Sequence, residues 1–335
     1  MKALKLGMVG GGQGAFIGGV HRMAARLDGR WELVAGALSS HPARAEASAK
    51  ELGLDPKRSY QSYAEMAVQE AARADGIDAV AIVTPNHMHA GPAIAFLEAG
   101  IHVICDKPLA ATSEQAQLID AAVRASKAHF ILTHNYTGYP VIRQARKLVE
   151  NGELGEIRVI QAEYAQDWLS EAADNKQADW RVNPEKSGAG AIGDIGTHAL
   201  NLASFVSGLQ PQALCADLHS FVDGRRVDDN AHIMLRFEKG AKGMLWASQV
   251  AVGCENTLTL RIYGEKAGLE WQQENPNQLS FTRFGQAKQL LTRGGAGFAE
   301  TAGDWTRIPP GHPEGYLEGF ATLYSEAADL ISGIG

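Results

Sequence analysis

The chain has 335 residues, 45% of them hydrophobic and 21% charged, with a formal net charge of −7. That length suits two domains rather than one, and the mild acidity, with Lys and Arg scattered along the chain, argues against nucleic acid and anionic membrane as partners. Cys105, Cys215 and Cys254 form an odd, widely spaced set in apolar settings, which reads as reduced core thiols of a cytoplasmic protein rather than disulfides or a metal site.

Leu4-Lys5-Leu6-Gly7-Met8-Val9 reads as a first strand and lacks the long apolar core of a signal peptide. The longest apolar runs are too short to span a bilayer. Further strands are predicted over Trp31–Leu38, Asp78–Thr84, Ile101–Cys105 and Phe130–Thr133, separated by Ala-rich helical stretches such as Pro42–Leu52 and Ser113–Lys127. Alternation of this kind predicts an α/β domain over residues 1–135 with a doubly wound parallel sheet, binding its ligand beyond the carboxyl ends of the strands. The rhythm changes over residues 136–335. Gly152-Glu153-Leu154-Gly155 reads as a turn, and strands are predicted at Ile157–Gln166, Ala231–Phe237, Lys242–Val252 and Thr257–Tyr263. Ala231–Phe237 alternates with period two, as a half-exposed strand does. The second domain is therefore expected to be a mostly antiparallel open sheet with helices, its open face suited to another subunit. The chain stops at Ile331–Gly335, where a helix from about Tyr316 finishes, which leaves room for a further terminal segment.

The chemistry-bearing segments lie at the ends of these elements. Gly10-x-Gly12 directly after the first strand lets the backbone turn tightly and approach a pyrophosphate, whose charge the next helix's N-terminus meets. The fingerprint's third glycine is displaced: residue 15 is Ala15, and Gly18 and Gly19 come later, so a loop enlarged through Gln13, Ala15 and Phe16 to Ile17 is expected. Where the second strand ends, an acidic residue would read the adenosine ribose; the chain offers Ser39 and Ser40 with Arg44 a turn onward, which leaves both NAD and NADP open. Thr84, Pro85 and Asn86 end the Asp78–Thr84 strand, Asn86 as a candidate helix cap, with His89 beside the cofactor. His87 and His89 have no carboxylate or cysteine at ligand spacing, so no metal site is expected. Asp106-Lys107-Pro108 ends the Ile101–Cys105 strand and puts an acid/base side chain ahead of a backbone-fixing proline. Asn135, just past the last strand of the domain, joins the cofactor set. Asp194, His198 and Asn201 share one face if a helix starts at Asp194, and Gly193 and Gly196 keep that region small.

These segments together resemble the glucose-fructose oxidoreductase, inositol dehydrogenase and rhizopine catabolism (Gfo/Idh/MocA) family. The likeness rests on the glycine loop, Thr84-Pro85-Asn86 with His89, Asp106-Lys107-Pro108 in place of the usual Glu-Lys-Pro, Gly152–Gly155, and Asp194-x-Gly196-x-His198. It covers nearly the whole chain. The resemblance implies a Rossmann domain followed by an α/β domain whose open sheet makes homodimers or homotetramers. It implies Lys107 as the catalytic lysine, with Asp194 and His198 contacting substrate. Asp106 is one methylene shorter than the family's glutamate, and Asn201 stands where many members have Asp. The implied reaction is NAD(P)-dependent oxidation of a secondary hydroxyl, with Lys107 or His198 taking its proton and Asp194 orienting either.

Asp167-Trp168, Trp180-Arg181 and the Gly311–Tyr316 segment with His312 combine aromatic faces and hydrogen-bonding groups, a mixture that suits a sugar, anhydrosugar or cyclitol. Two other classes share most of these features: an NAD-dependent glycoside hydrolase working through transient oxidation at C3, and a nonenzymatic sugar or dinucleotide sensor.

Overall fold

The computed structural model describes residues 2–172, 175–299 and 303–334; Gly335, the last residue of the segment expected to close the chain, lies outside them. By internal contacts the chain divides into one unit of residues 1–133 with 320–335 and a second of residues 134–319.

The first unit is built on strands β1 (Leu4–Gly10), β2 (Trp31–Ala37), β3 (Ala79–Val83), β4 (His102–Cys105) and β5 (Phe130–Leu132), all parallel in the order β2-β1-β3-β4-β5. Every residue of β3 is buried, as the central strand of a sheet covered on both faces must be. The helices α1 (Phe16–Leu27), α2 (Pro42–Glu51), α3 (Tyr63–Ala71), α4 (Ala90–Glu98) and α5 (Ser113–Ala125) connect the strands. The register sets Gly10 opposite Val83 and Cys105 opposite Ile82, so the segments after β1, β3 and β4 leave from one edge. The strand order reverses at β1 and β3, where such sheets hold their ligands.

Sequence contiguity suggested grouping residues 136–335 together, but the residues from Phe320 onward pack with the first unit. The Trp31 indole donates to the carbonyl of Tyr324 at 2.8 Å, Arg30 pairs with Asp329 at 2.7 Å, and Ser325 donates to Asp28 at 2.7 Å. The cysteines also differ from expectation. Cys105 is buried, Cys254 half-buried and Cys215 exposed, so only the first is a core thiol.

In the second unit α6 (Pro140–Glu150) precedes β6 (Ile157–Ala165); α7 (Lys176–Arg181), α8 (Pro184–Ser187) and α9 (Thr197–Ser207) follow, then strands β7 (Pro211–His219), β8 (Asn230–Phe237), β9 (Lys242–Ser248), β10 (Thr257–Gly264), β11 (Ala267–Gln272), β12 (Gln278–Arg283) and β13 (Gln289–Thr292). Helix α10 (Tyr316–Ser332) is the last described helix, and its residues from Phe320 onward belong to the first unit. The sheet order is β13-β12-β11-β10-β6-β9-β8-β7, antiparallel throughout except that β6 and β9 run parallel. In β8, Ile233, Leu235 and Phe237 are buried while His232, Met234 and Arg236 are exposed, the period-two pattern of a sheet with one dry face. Val141, Ile142 and Ala145 of α6 and Leu202, Ala203 and Val206 of α9 form one core with Leu258, Leu260 and Ile262 of β10; each large aliphatic side chain buried there contributes roughly 1.5–3 kcal/mol. Leu214 and Met234 are exposed. Among the described residues, no helix is long and apolar enough to cross a membrane.

Candidate active site

The segments suited to a dinucleotide lie in the first unit. Gly10 and Gly11 have φ of +79° and +72°, a conformation that a side chain would strain. A Cβ on Gly12 would lie 2.7 Å from both the Leu38 carbonyl oxygen and the Ser48 hydroxyl. The displaced third glycine is Gly18: its Cβ would fall 2.4 Å from the Cα of Gly11, so this is where α1 closes on the loop. Arg22 donates to the Gly11 carbonyl at 2.6 Å. Helix α1 starts with no side-chain cap and no acidic residue in its first turn, so its first N–H groups fit a bound diphosphate. Phe16 is exposed beside Ala15 and Ile17 at the helix start, and Gln13 is tied to α2 by its backbone bond to Ser48 and its side-chain bond to Glu51.

After β2, Ser40 and Arg44 are exposed, and the Ser39 hydroxyl accepts the N–H of His41 at 3.1 Å. Thr84 donates to the Met88 carbonyl, and Pro85 and the buried Asn86 open a short 3-10 turn over Asn86–Met88. Asn86 does not cap α4; His89 occupies that position, without a side-chain cap bond. The His89 ring is fully buried, with Nδ1 2.9 Å from the Pro108 carbonyl oxygen and Nε2 2.8 Å from that of Thr84. It therefore ties the segment after β3 to the turn after β4.

That turn carries Lys107, half-buried, and its peptide to Pro108 is cis. Asp106 is buried, its backbone N–H continuing the sheet to the Ile82 carbonyl at 2.9 Å and its carboxylate accepting from Thr133 at 3.2 Å. Burial pushes the Asp106 carboxyl up, but the imidazole of His21, Lys107 and His89 outweigh it and hold the carboxyl below its ordinary value.

The second unit carries a polar cluster of its own. Asp194 lies in a π-helical turn, Ile192–Gly196, that runs directly into α9, and His198 follows in the first turn of α9. Such wide turns recur at functional sites. The expected helix therefore begins before Asp194. A Cβ on Gly196 would lie 2.4 Å from Ile192 Cδ1 and at ordinary contact distance, 3.4 Å, from the Cβ of Ala247. Asp194 accepts from Arg181 Nε at 3.0 Å and from Gln249 at 2.9 Å. Arg181 also lies over the Trp180 ring at 4.2 Å and the Trp168 ring at 5.9 Å, so the Trp-Arg segments meet at this carboxylate. Asp167 accepts the Gly253 N–H at 3.0 Å. His198 is buried against the rings of Tyr136 at 4.9 Å, His134 at 5.5 Å and Tyr164 at 6.0 Å. The Tyr136 and Tyr164 hydroxyls hydrogen-bond at 2.6 Å, and Tyr164 donates onward to Asn256 at 2.8 Å; burial raises both phenols, which stay protonated. Asn135, next to Tyr136, is buried, whereas the His312 ring is exposed.

Several of these residues escaped sequence reasoning. Asp228 accepts the N–H groups of Gly190 and Ile192 at 2.8 and 2.7 Å and so anchors the helical start ahead of Asp194. Gln249, Tyr136 and Tyr164 reach the site only through sheet and loop pairing, and no local motif marks them. Among the described residues, no group of three His, Cys, Asp or Glu is placed to hold a metal ion.

Comparison with known proteins matches residues 4–136 to a family described as "Oxidoreductase family, NAD-binding Rossmann fold" and residues 142–270 to the "GFO/IDH/MocA C-terminal domain". The crystal structure of an oxidoreductase from Sinorhizobium meliloti is 57% identical, with a TM-score of 0.93, over 99% of this chain and 90% of that one. An inositol dehydrogenase homologue from Azotobacter vinelandii, solved with NAD+, is 38% identical, with a TM-score of 0.95, over 99% of this chain and 87% of that one. A levoglucosan dehydrogenase from Pseudarthrobacter phenanthrenivorans is 31% identical over 83% of this chain and 76% of its own length.

Proposed function

The chain belongs to the GFO/IDH/MocA family of NAD-binding oxidoreductases, and from that premise we propose that it oxidises a secondary hydroxyl of a sugar, anhydrosugar or cyclitol with NAD or NADP. The observation that carries the substrate class is the wall of the second unit, where Asp194 is held by Arg181 and Gln249 beside two tryptophan faces. A fixed carboxylate accepts hydroxyl hydrogen bonds, and aromatic faces cover the apolar side of a ring. Relatives named for levoglucosan and inositol agree with that chemistry.

When bound, the nicotinamide accepts the hydride that leaves the carbinol carbon. The hydroxyl proton then needs an acceptor from the chain. In this reading Lys107 takes it and His198 donates a hydrogen bond to the reacting oxygen; exchanging the two roles changes which side chain holds the proton and nothing else. Asp194 orients the ring through a neighbouring hydroxyl. The glycine loop with Gln13, Ala15, Phe16 and Ile17, together with Ser39, Ser40, Arg44, Thr84, Pro85, Asn86 and Asn135, binds the dinucleotide. Trp168, Trp180 and Arg181 with Asp167 and His312 face the substrate, and His89 supports the Lys107 turn.

A panel of cyclitols, anhydrosugars and free sugars, each offered with NAD and with NADP, tests the reading through the absorbance of reduced nicotinamide. Reduction with at least one ring polyol is the expected result. Tight NADH binding with no reduction across the panel sinks it. We also propose that the exposed sheet face bearing Met234 and Met244 packs against a second copy; light scattering that gives a monomer mass excludes this.

A further inference from the structure

A buried polar chain links α10 to the turn that carries Lys107, all within the first unit. The Tyr324 hydroxyl and His21 Nδ1 hydrogen-bond at 2.8 Å across a sequence separation of 303 residues. On the other side of the ring, His21 Nε2 faces Asp106 Oδ1 at 3.6 Å. His21 is fully buried, Tyr324 nearly so, and the side chain of Asp106 is 12% exposed. We propose that His21, hung from Tyr324, is a positioning residue for Lys107: its imidazole holds the Asp106 carboxylate and thereby fixes the turn between β4 and α5. This rests on the dehydrogenase reading above and extends it to groups that touch neither cofactor nor substrate.

Three observations support the assignment. First, a polar chain is a demanding way to seat a helix, because each buried group needs its partner; apolar packing would hold α10 without placing an imidazole beside Asp106. Second, the ring spans both partners. Burial and the Asp106 charge keep the Tyr324 phenol protonated, so its hydroxyl can donate to or accept from Nδ1, and Nε2 is the atom that faces the carboxylate. Third, the groups around Asp106 divide by charge. His21 from α1, Lys107 from its own turn and His89 from the start of α4 all favour the ionised carboxyl, His21 the most strongly of the three. Cys105 and Tyr324 are neutral, each with its proton held by burial. The 3.6 Å gap is beyond a hydrogen bond, and it belongs to an aspartate where the family motif has a residue one methylene longer.

Paired substitutions of His21 separate positioning from packing. Asn places its polar atom where Nδ1 stood and keeps the link to Tyr324; Gln reaches to the Nε2 position and keeps a donor toward Asp106. With the best polyol of the panel, His21→Asn is expected to lower kcat about tenfold to a hundredfold, the scale of a displaced catalytic group, with KM within about twofold. His21→Gln should recover most of kcat. Titration of the Asp106 carboxyl carbon by NMR, identified by its loss in Asp106→Asn, should show the midpoint rising in His21→Asn and staying near wild type in His21→Gln. Equal kcat in the two variants overturns the proposal, as does an Asp106 midpoint that His21→Asn leaves unmoved. If no polyol is turned over, the dehydrogenase reading fails, and the carboxyl titration still decides whether His21 holds Asp106.

Discussion

Gly18 carries the most exacting test of the dinucleotide half. Substituting Ala adds one methyl group, whose carbon would lie 2.4 Å from the Cα of Gly11 and 2.6 Å from its carbonyl oxygen. Ordinary carbon contacts are about 3.5–4 Å, so the loop or α1 has to retreat by roughly 1 Å, and neither obstacle is a flexible side chain that swings away. Overpacking of this kind costs about 1–3 kcal/mol, offset in part by the roughly 0.5–1 kcal/mol that Ala gains over Gly inside a helix. Gly19 is the internal control. Its nearest obstacle is the Arg22 guanidinium at 3.9 Å, so Gly19→Ala collects the helix gain with little collision. Fluorescence titration with NADH, alongside urea unfolding, reads both outcomes. Gly18→Ala should weaken NADH binding about five- to a hundredfold, as 1–3 kcal/mol dictates, while Gly19→Ala binds as wild type and unfolds at higher urea. Equal NADH affinity in the two variants would refute the assignment of Gly18 as the loop's third glycine.

Lys107→Ala should lower turnover about 10²-fold or more while NADH binding persists; near-wild-type turnover removes its catalytic role. Arg181→Met takes a fixed donor from Asp194, whose side chain is only 14% exposed, and should raise KM for the polyol about tenfold with a smaller change in kcat; steady-state kinetics check the split. His102 gives the pH dependence. Burial and the charge of His129 lower its pKa below 6.5, and its Nδ1 accepts the His129 N–H at 2.8 Å, a bond that protonation of that nitrogen breaks. Below pH 6.5 the unfolded chain takes up this proton before the folded one, so the stability is full above that value and falls as pH drops from it toward the folded pKa. Urea midpoints should follow that course, and His102→Asn, which keeps an acceptor but does not titrate, should flatten it.

Several strands are legible from the pattern that burial imposes, whereas β11 and β12, whose burial also alternates, are not among those expected from the sequence. The all-apolar Ala79–Val83 and the alternating Asn230–Phe237 carry their environments in their residue types. Strand β7 was not legible: it lies at the sheet edge with nearly every residue exposed, so no buried face marks it. Among the candidate site residues, those on local motifs, including Gly10, Lys107, Asp194 and His198, stand out in the sequence. Arg181 stands out for its aromatic neighbour, and the structure also makes it the ion-pair partner of Asp194.

The positions that escaped detection act across long separations. Gln249 reaches Asp194 over 55 residues and Asp228 anchors Gly190 over 38, and neither contact leaves a pattern along the chain. Asp106 is the instructive intermediate case. Its departure from the family's glutamate is visible in the sequence, but one methylene has no consequence until the carboxylate's neighbours are known. His21 sits inside a helix whose buried face also includes Gly18, Val20, Ala24 and Ala25, where a histidine reads as packing. Only the 2.8 Å bond to Tyr324 and the 3.6 Å approach to Asp106 turn that buried ring into part of the support for Lys107. A shorter carboxylate at the end of β4 thus makes the geometry of this turn depend on the docking of the last helix, and a change at Tyr324 should register in turnover before it registers in cofactor affinity.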